Sequence, residues 1–67
     1  MTEKQRIAEI NDWLEEAMLW SQEGNVAKAQ RDIDQARALA QTDQEIAACD
    51  RAAKIVRMQS QDHRESF

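Results

Sequence analysis

The sequence predicts an all-α protein of three short helices. Proline is absent and glycine occurs once in 67 residues, so residues that break helices are almost missing. Charged residues make up 33% of the chain, and the apolar residues between them recur at helical spacing. A chain of this length has room for one small domain. We expect this domain to span residues 1–59.

The first two helices are predicted to form an antiparallel hairpin. Helix 1 is expected at about residues 3–23, after a capping box that begins at Thr2. Gly24 then supplies a residue that tolerates a left-handed backbone, and Asn25 supplies an N-cap for helix 2 at about residues 26–41. Because the turn between them is so short, the two helices are expected to lie side by side in opposite directions.

Helix 3 is predicted at about residues 43–59, after a second capping box that runs from Thr42 to Glu45. Its apolar residues cover about half of the helix circumference, which is wider than one packing seam requires. The pattern leaves open whether this face packs on the hairpin or on another chain. Residues 60–67 have no apolar periodicity and are predicted to be a disordered tail.

The apolar faces of the first two helices differ in size. Helix 1 presents the bulky Trp13 and Trp20, whereas the face of helix 2 is built largely from small residues. Small residues let a neighbouring helix approach closely. We therefore expect the two tryptophans to be structural anchors that lie over Ala29, Ile33 and Ala36.

Motifs for catalysis or cofactor binding are not found in the sequence. It contains no glycine-rich phosphate loop, no paired-cysteine zinc spacing and no nucleophile elbow. Cys49 lies among apolar residues, which favours an inert core thiol, and His63 has no carboxylate at helical spacing. The prediction is a non-enzymatic protein with no cofactor and no bound metal.

Charge and hydropathy narrow the possible partners. A net charge of −4 disfavours direct binding to nucleic acid, which requires a basic face. No apolar run of about 18 residues predicts a membrane span, and the charged residues from Glu3 onwards do not form a signal peptide. The single cysteine favours a reducing, cytoplasmic location. The expected partner is another protein or a second copy of the chain.

Residues 13–36 resemble a single tetratricopeptide repeat. Seven positions match the family at its spacing: Trp13, Ala17, Trp20, Gly24, Ala29, Ile33 and Ala36. Two positions depart from the pattern, since Glu16 stands where the family has leucine and Gln41 where it usually has proline. The chain has room for one such helix pair, so it cannot form the stacked array of the family by itself.

The resemblance implies a non-catalytic scaffold that holds a peptide or helix of a partner against helix 1. Transferred by position, the groove face of the family comprises Asn11, Leu14, Met18, Ser21 and Gln22. The basic clamp with which the family binds a terminal carboxylate is missing from these positions. A helix held in a groove by apolar anchors is therefore the expected mode of binding.

The apolar faces also predict a partner-binding surface on helices 1 and 3. Its apolar members are Leu14, Met18, Leu19 and Ile55, and the resemblance adds Asn11. Glu15 and Glu16 are expected to form an acidic rim that affects the rate of association more than the affinity.

Three functions agree with these observations. The first is a small adaptor, chaperone or inhibitor that binds a partner protein through apolar helix surface. The second is a self-assembling helical homo-oligomer. The third is an acidic phage-type inhibitor that masks a basic or nucleic-acid-binding surface, as anti-restriction and anti-CRISPR proteins do. Helix 1 contains six acidic residues and two basic ones, and this excess of negative charge favours the third function.

Overall fold

The computed structural model describes residues 2–65, and side chains within residues 2–59. This part of the chain forms three α-helices, which we number α1 (Glu3–Gln22), α2 (Val26–Leu39) and α3 (Asp43–Glu65). The predicted all-α class and the order of the helices are confirmed. The predicted starts of all three helices agree with the structure, and the predicted ends of α1 and α2 lie one and two residues late.

Both capping boxes form as the sequence predicts. The Thr2 hydroxyl accepts from the backbone N–H of Gln5 at 3.2 Å, and the Gln5 side chain accepts from the backbone N–H of Thr2 at 3.1 Å. At the start of α3, Thr42 and Glu45 exchange the equivalent bonds at 3.2 and 3.3 Å. Each box satisfies backbone donors that the first turn of a helix leaves free.

The turn between α1 and α2 is closed by a Schellman motif. Gly24 has a φ of 87°, the left-handed value that only glycine adopts without a steric cost. The backbone N–H of Asn25 donates to the carbonyl of Trp20 at 2.9 Å, and that of Gly24 donates to the carbonyl of Ser21 at 3.1 Å. The Asn25 side chain then accepts from the backbone N–H of Lys28 and begins α2.

The three helices run up, down and up. The end of α1 lies beside the start of α2, since Ala17 and Ala29 share one buried cluster, and Ile10 shares another with Ala36. These pairs make α1 and α2 antiparallel, as predicted. Cys49 of α3 lies in the same cluster as Ile10 and Ala36, so α3 packs on the hairpin itself.

α3 runs parallel to α1 with a constant offset. Arg6 bonds to Glu45, which lies 39 residues later, and Ser21 bonds to Gln59, which lies 38 residues later. Residue n of α1 therefore lies level with about residue n + 39 of α3. This register places the amino ends of both helices at the same end of the bundle.

The core is made of small and β-branched side chains. Its largest fully buried members are Ile33, Val56 and Cys49. Alanines surround them, which lets the helix backbones approach one another closely. The buried hydrophobic residues are Ile10, Ala17, Ala29, Ile33, Ala36, Cys49, Ala52, Ala53 and Val56.

The two tryptophans lie at the edge of this core and not at its centre. Trp13 packs on the cluster that contains Ala36, and Trp20 packs on the cluster that contains Ala29 and Ile33. Both rings are only half-buried. The outer face of Trp20 carries the Lys28 ammonium at 4.2 Å from the ring centroid, a cation–π contact.

The predicted end of helix 3 at residue 59 is too early, because α3 continues to Glu65. The segment lacks an apolar face, and it also lacks glycine and proline, so nothing in it ends a helix. By the register above, the end of α1 lies level with about residue 61. The last turn of α3 has no neighbour on α1, and a helix needs no apolar face where nothing packs on it. Of the predicted tail, residues 66 and 67 lie outside the described residues.

Candidate protein-binding groove

A groove runs between α1 and α3 at the end of the bundle where both helices begin. It encloses a cavity volume of about 360 Å³. Its lining comprises Glu3, Ile7, Ile10, Asn11, Thr42, Asp43, Gln44, Glu45 and Ala48. Aliphatic side chains from both helices form its floor, and polar side chains surround its open end.

Beyond the lining of this cavity, helical spacing places further apolar residues on the same side of α1. On α1, Ile7 and Asn11 are followed on the same side by Leu14 and Met18, at steps of three and four residues. Both Leu14 and Met18 are half-buried against the cluster that contains Val56. We call the strip from Glu3 and Asp43 to Met18 and Ile55 the α1–α3 groove.

The α3 side of the groove follows the same rule. Ala48, Ala52 and Ile55 recur at four and three residues, so they line one side of this helix. Ala52 is buried and Ala48 is half-buried, whereas Ile55 is 38% exposed. On the opposite side, Ile7 of α1 is 41% exposed. Apolar surface therefore remains uncovered along both edges of the groove.

The structure brings together four of the five predicted contact residues. Asn11 lines the cavity, and Leu14, Met18 and Ile55 lie along the groove by the spacing just described. Leu19 does not join them, although it is 57% exposed. It lies about 140° around α1 from Leu14, outside the groove.

The two residues of the predicted acidic rim lie on different sides of α1. Glu15 is exposed and lies on the outer edge of the groove, one turn after Asn11. Glu16 instead lies on the other side of α1. There it lines a shallow depression with Glu9, Asp12 and Trp13, whose volume is about 240 Å³.

Sequence reasoning missed Ile7 and Ala48 as groove residues. Ile7 belongs to the apolar face of α1, and its position four residues before Asn11 could have included it. Ala48 could not be assigned in this way, because its role depends on which helix lies opposite α3.

A buried ion pair fixes the end of the groove where the helices begin. Arg6 Nε donates to Glu45 Oε1 at 3.0 Å, and Arg6 Nη2 donates to Glu45 Oε2 at 2.9 Å. The same carboxylate accepts from the backbone N–H groups of Gln41 and Thr42. The bonds from Arg6 and then from Gln41 lower the pKa of Glu45 to about 2. This bidentate pair holds the start of α3 against α1 and sets the separation of the groove walls.

A polar contact joins α1 and α3 near the carboxyl end of α1. The buried Ser21 hydroxyl donates to the side-chain oxygen of Gln59. With the pair of Arg6 and Glu45, this bond restrains the two helices at both ends of the groove. The apolar strip lies between these two contacts.

The open end of the groove is acidic. Glu3 and Asp43 lie in the first turns of α1 and α3, where the positive ends of both helix dipoles favour carboxylates. Both side chains are exposed, and within the described residues neither takes part in a salt bridge. A ligand that carries positive charge at this end would meet two exposed carboxylates that form no salt bridge within the described residues.

Other reactive groups lie outside the groove. Cys49 is buried in the core, and burial raises the pKa of its thiol, which makes it a poor nucleophile. Asp32 of α2 is also buried, and one of its carboxylate oxygens has no hydrogen-bond partner among the described residues. Within residues 2–59, no three side chains of histidine, cysteine or acid lie close enough to share a metal ion.

Among the three described helices, none combines the length and apolar character that a membrane crossing needs.

Comparison with known proteins adds no relative: neither a family model, nor a curated protein, nor a solved structure matches the chain. The resemblance of residues 13–36 to a tetratricopeptide repeat stays a prediction.

Proposed function

We propose that the chain is a non-enzymatic protein-interaction module, and that its α1–α3 groove holds an apolar helical surface of another polypeptide. One observation carries this proposal. Apolar side chains from two helices, which an ion pair and a hydrogen bond join, line a groove that no element among the described residues covers. Burial of such a strip against a partner removes apolar surface from water, which is the main driving force of association.

A helix fits this groove better than an extended strand does. The α1 edge presents side chains at steps of three and four residues. Side chains of a neighbouring helix pack between rows at this spacing. The α3 edge contributes small residues at Ala48 and Ala52, against which bulky side chains of a partner can pack. Met18 adds a flexible thioether, a group that adapts to different partner surfaces.

The same features argue against catalysis and favour a cytoplasmic setting. The one thiol, Cys49, is buried and has a raised pKa, so a role as a nucleophile is disfavoured. Nothing in the groove pairs a nucleophile with a base. A free thiol is typical of proteins in a reducing compartment.

Site-specific photocrosslinking in the native host tests the proposal. A photoreactive residue at Asn11, which is exposed and lines the groove, is expected to capture a polypeptide. The same residue at Arg31, which is exposed on α2 and lies outside the groove, is the matched control and should capture none. The added substitution Ile55→Glu should abolish capture from position 11 without a loss of helicity by circular dichroism. Equal capture from both positions, or capture that survives Ile55→Glu, would contradict the proposal.

The acidic inhibitor is a second candidate, favoured by a different surface. Glu9, Asp12 and Glu16 line the depression beside Trp13, and none of them forms a salt bridge within the described residues. Three uncompensated carboxylates around an aromatic ring would suit a basic target surface. In that case, replacement of the three acids by their amides should release the target, whereas Ile55→Glu should not.

A further inference from the structure

We propose that the cavity at the amino end of the α1–α3 groove binds a basic side chain, lysine or arginine, of the polypeptide that the groove holds. The inference rests on the proposed function, because it names the kind of residue by which the partner is recognised. Three features of the cavity support it: its charge, its aliphatic floor and the position of its carboxylates on two different helices. Among the described residues that line the cavity, none carries a positive charge.

The charge of the cavity comes from two carboxylates. Of the three acids that line it, Glu45 is already paired, because its carboxylate accepts from Arg6 and from two backbone N–H groups. Glu3 and Asp43 are exposed, and neither forms a salt bridge within the described residues. The amino ends of α1 and α3 offset only part of this charge, about half a unit at each helix. Lys4 is exposed beside Glu3, but it does not line the cavity.

The floor of the cavity is aliphatic and is formed by Ile7, Ile10 and Ala48. A lysine or arginine side chain combines an aliphatic stem with a cationic head, so the stem can pack on this floor while the head reaches the carboxylates at the open end. A long apolar side chain would cover these carboxylates without supplying a partner for them, which is costly. An acidic side chain would be repelled. A basic side chain is therefore the occupant that fits both the floor and the open end.

The two carboxylates belong to opposite walls of the cavity. Glu3 lies in the first turn of α1 and Asp43 in the first turn of α3, and the buried ion pair described above joins the starts of these two helices. Ammonium and guanidinium groups each carry several donors, so one cationic head can bond to more than one acceptor. The exposed amide side chains of Asn11 and Gln44 also line the cavity and supply further acceptor oxygens.

An NMR titration of the isotope-labelled protein tests the chemistry of the cavity. Propylguanidinium and butylammonium reproduce the side chains of arginine and lysine, and propylurea is the neutral counterpart of propylguanidinium. Both cations are expected to shift the backbone amide signals of Ile7 and Ala48. We expect propylguanidinium to bind about fivefold more tightly than propylurea, since each exposed carboxylate adds a modest attraction. The cation that binds more tightly identifies the base that the cavity prefers.

Removal of the two carboxylates tests whether they cause this preference. The double variant Glu3→Gln, Asp43→Asn keeps the size of both side chains and should bring the ratio of the two affinities close to one. The matched control Glu9→Gln, Asp34→Asn removes two exposed acids outside the cavity and should leave the ratio unchanged. Equal affinities in the wild type, a preference that survives the double variant, or the absence of any shift would each overturn the inference. Circular dichroism verifies that each variant keeps its helices.

Photocrosslinking from position 11 separates this inference from the proposed function. In the double variant, capture of the partner should fall about fivefold, and the segment captured by the wild type should contain a lysine or arginine. Undiminished capture that Ile55→Glu still abolishes would overturn the basic anchor and leave the groove as the binding site. A wild type that captures nothing from this position would contradict the proposed function itself, whatever the titration shows.

Discussion

Substitution of Ile33 by valine should measurably destabilise the protein. Ile33 is the largest of the fully buried side chains and has 1% of its surface exposed. Loss of one buried methyl group removes about 0.8 kcal/mol of transfer free energy, and the cavity left behind adds to it. Several of the buried residues around it are alanines, such as Ala17 and Ala29, which have no rotamers with which to fill the gap. We therefore expect a cost of about 1 kcal/mol.

Thermal unfolding followed by circular dichroism measures this cost. In a domain of this size, about 1 kcal/mol lowers Tm by roughly 4–8 °C. Ile46→Val is the matched control, because Ile46 is also in a helix but is 41% exposed. The control removes the same methyl group and changes helix propensity equally, yet it should change stability by less than about 0.5 kcal/mol. Equal shifts of Tm in the two variants would refute the reasoning, since burial would then not decide the cost.

Two further substitutions test the turn and the ion pair. Gly24→Val should destabilise the hairpin by about 1 kcal/mol or more, because a β-branched residue resists the positive φ of this position; an unchanged Tm would mean that the turn does not need glycine. The pKa of Glu45 in the folded state, about 2, is below its ordinary value of 4.5. The ionised Glu45 carboxylate therefore stabilises the fold fully above about pH 4.5, and this stabilisation is lost as the pH falls towards 2. Between about pH 4.5 and 2, the Glu45→Gln variant should therefore lose less stability than the wild type. Thermal melts at stepped pH measure both losses, and equal losses in the two proteins would contradict the role of the pair with Arg6.

Local interactions are the part of the structure that the sequence determined. The capping boxes at Thr2 and Thr42 and the turn at Gly24 join residues at most five positions apart, so each forms whatever the rest of the chain does. The short turn also favoured an antiparallel arrangement of α1 and α2, because only three residues separate the two helices. The tryptophans of α1 were predicted to lie over small residues of α2, and each ring packs on a cluster that contains such residues.

The position of α3 was decided by the tertiary structure alone. Periodicity fixes the angle of a residue around its own helix axis, but it does not say which neighbour that face meets. Arg6 and Glu45 are 39 residues apart, and nothing in their local sequences marks them as an ion pair. Their contact is possible only once α3 lies parallel to α1.

The candidate groove depends on this placement. Leu14, Met18 and Ile55 were predicted as contact residues from their apolar faces, yet Leu19 was grouped with them although α1 turns it away. Ala48 became part of the groove only because α1 lies beside it. The same cause explains the end of α3, where the absence of an apolar face indicated a tail but a projecting helix needs no such face. A sequence thus determines what each helix offers for packing, and the tertiary structure decides which of these surfaces meet and which remain open.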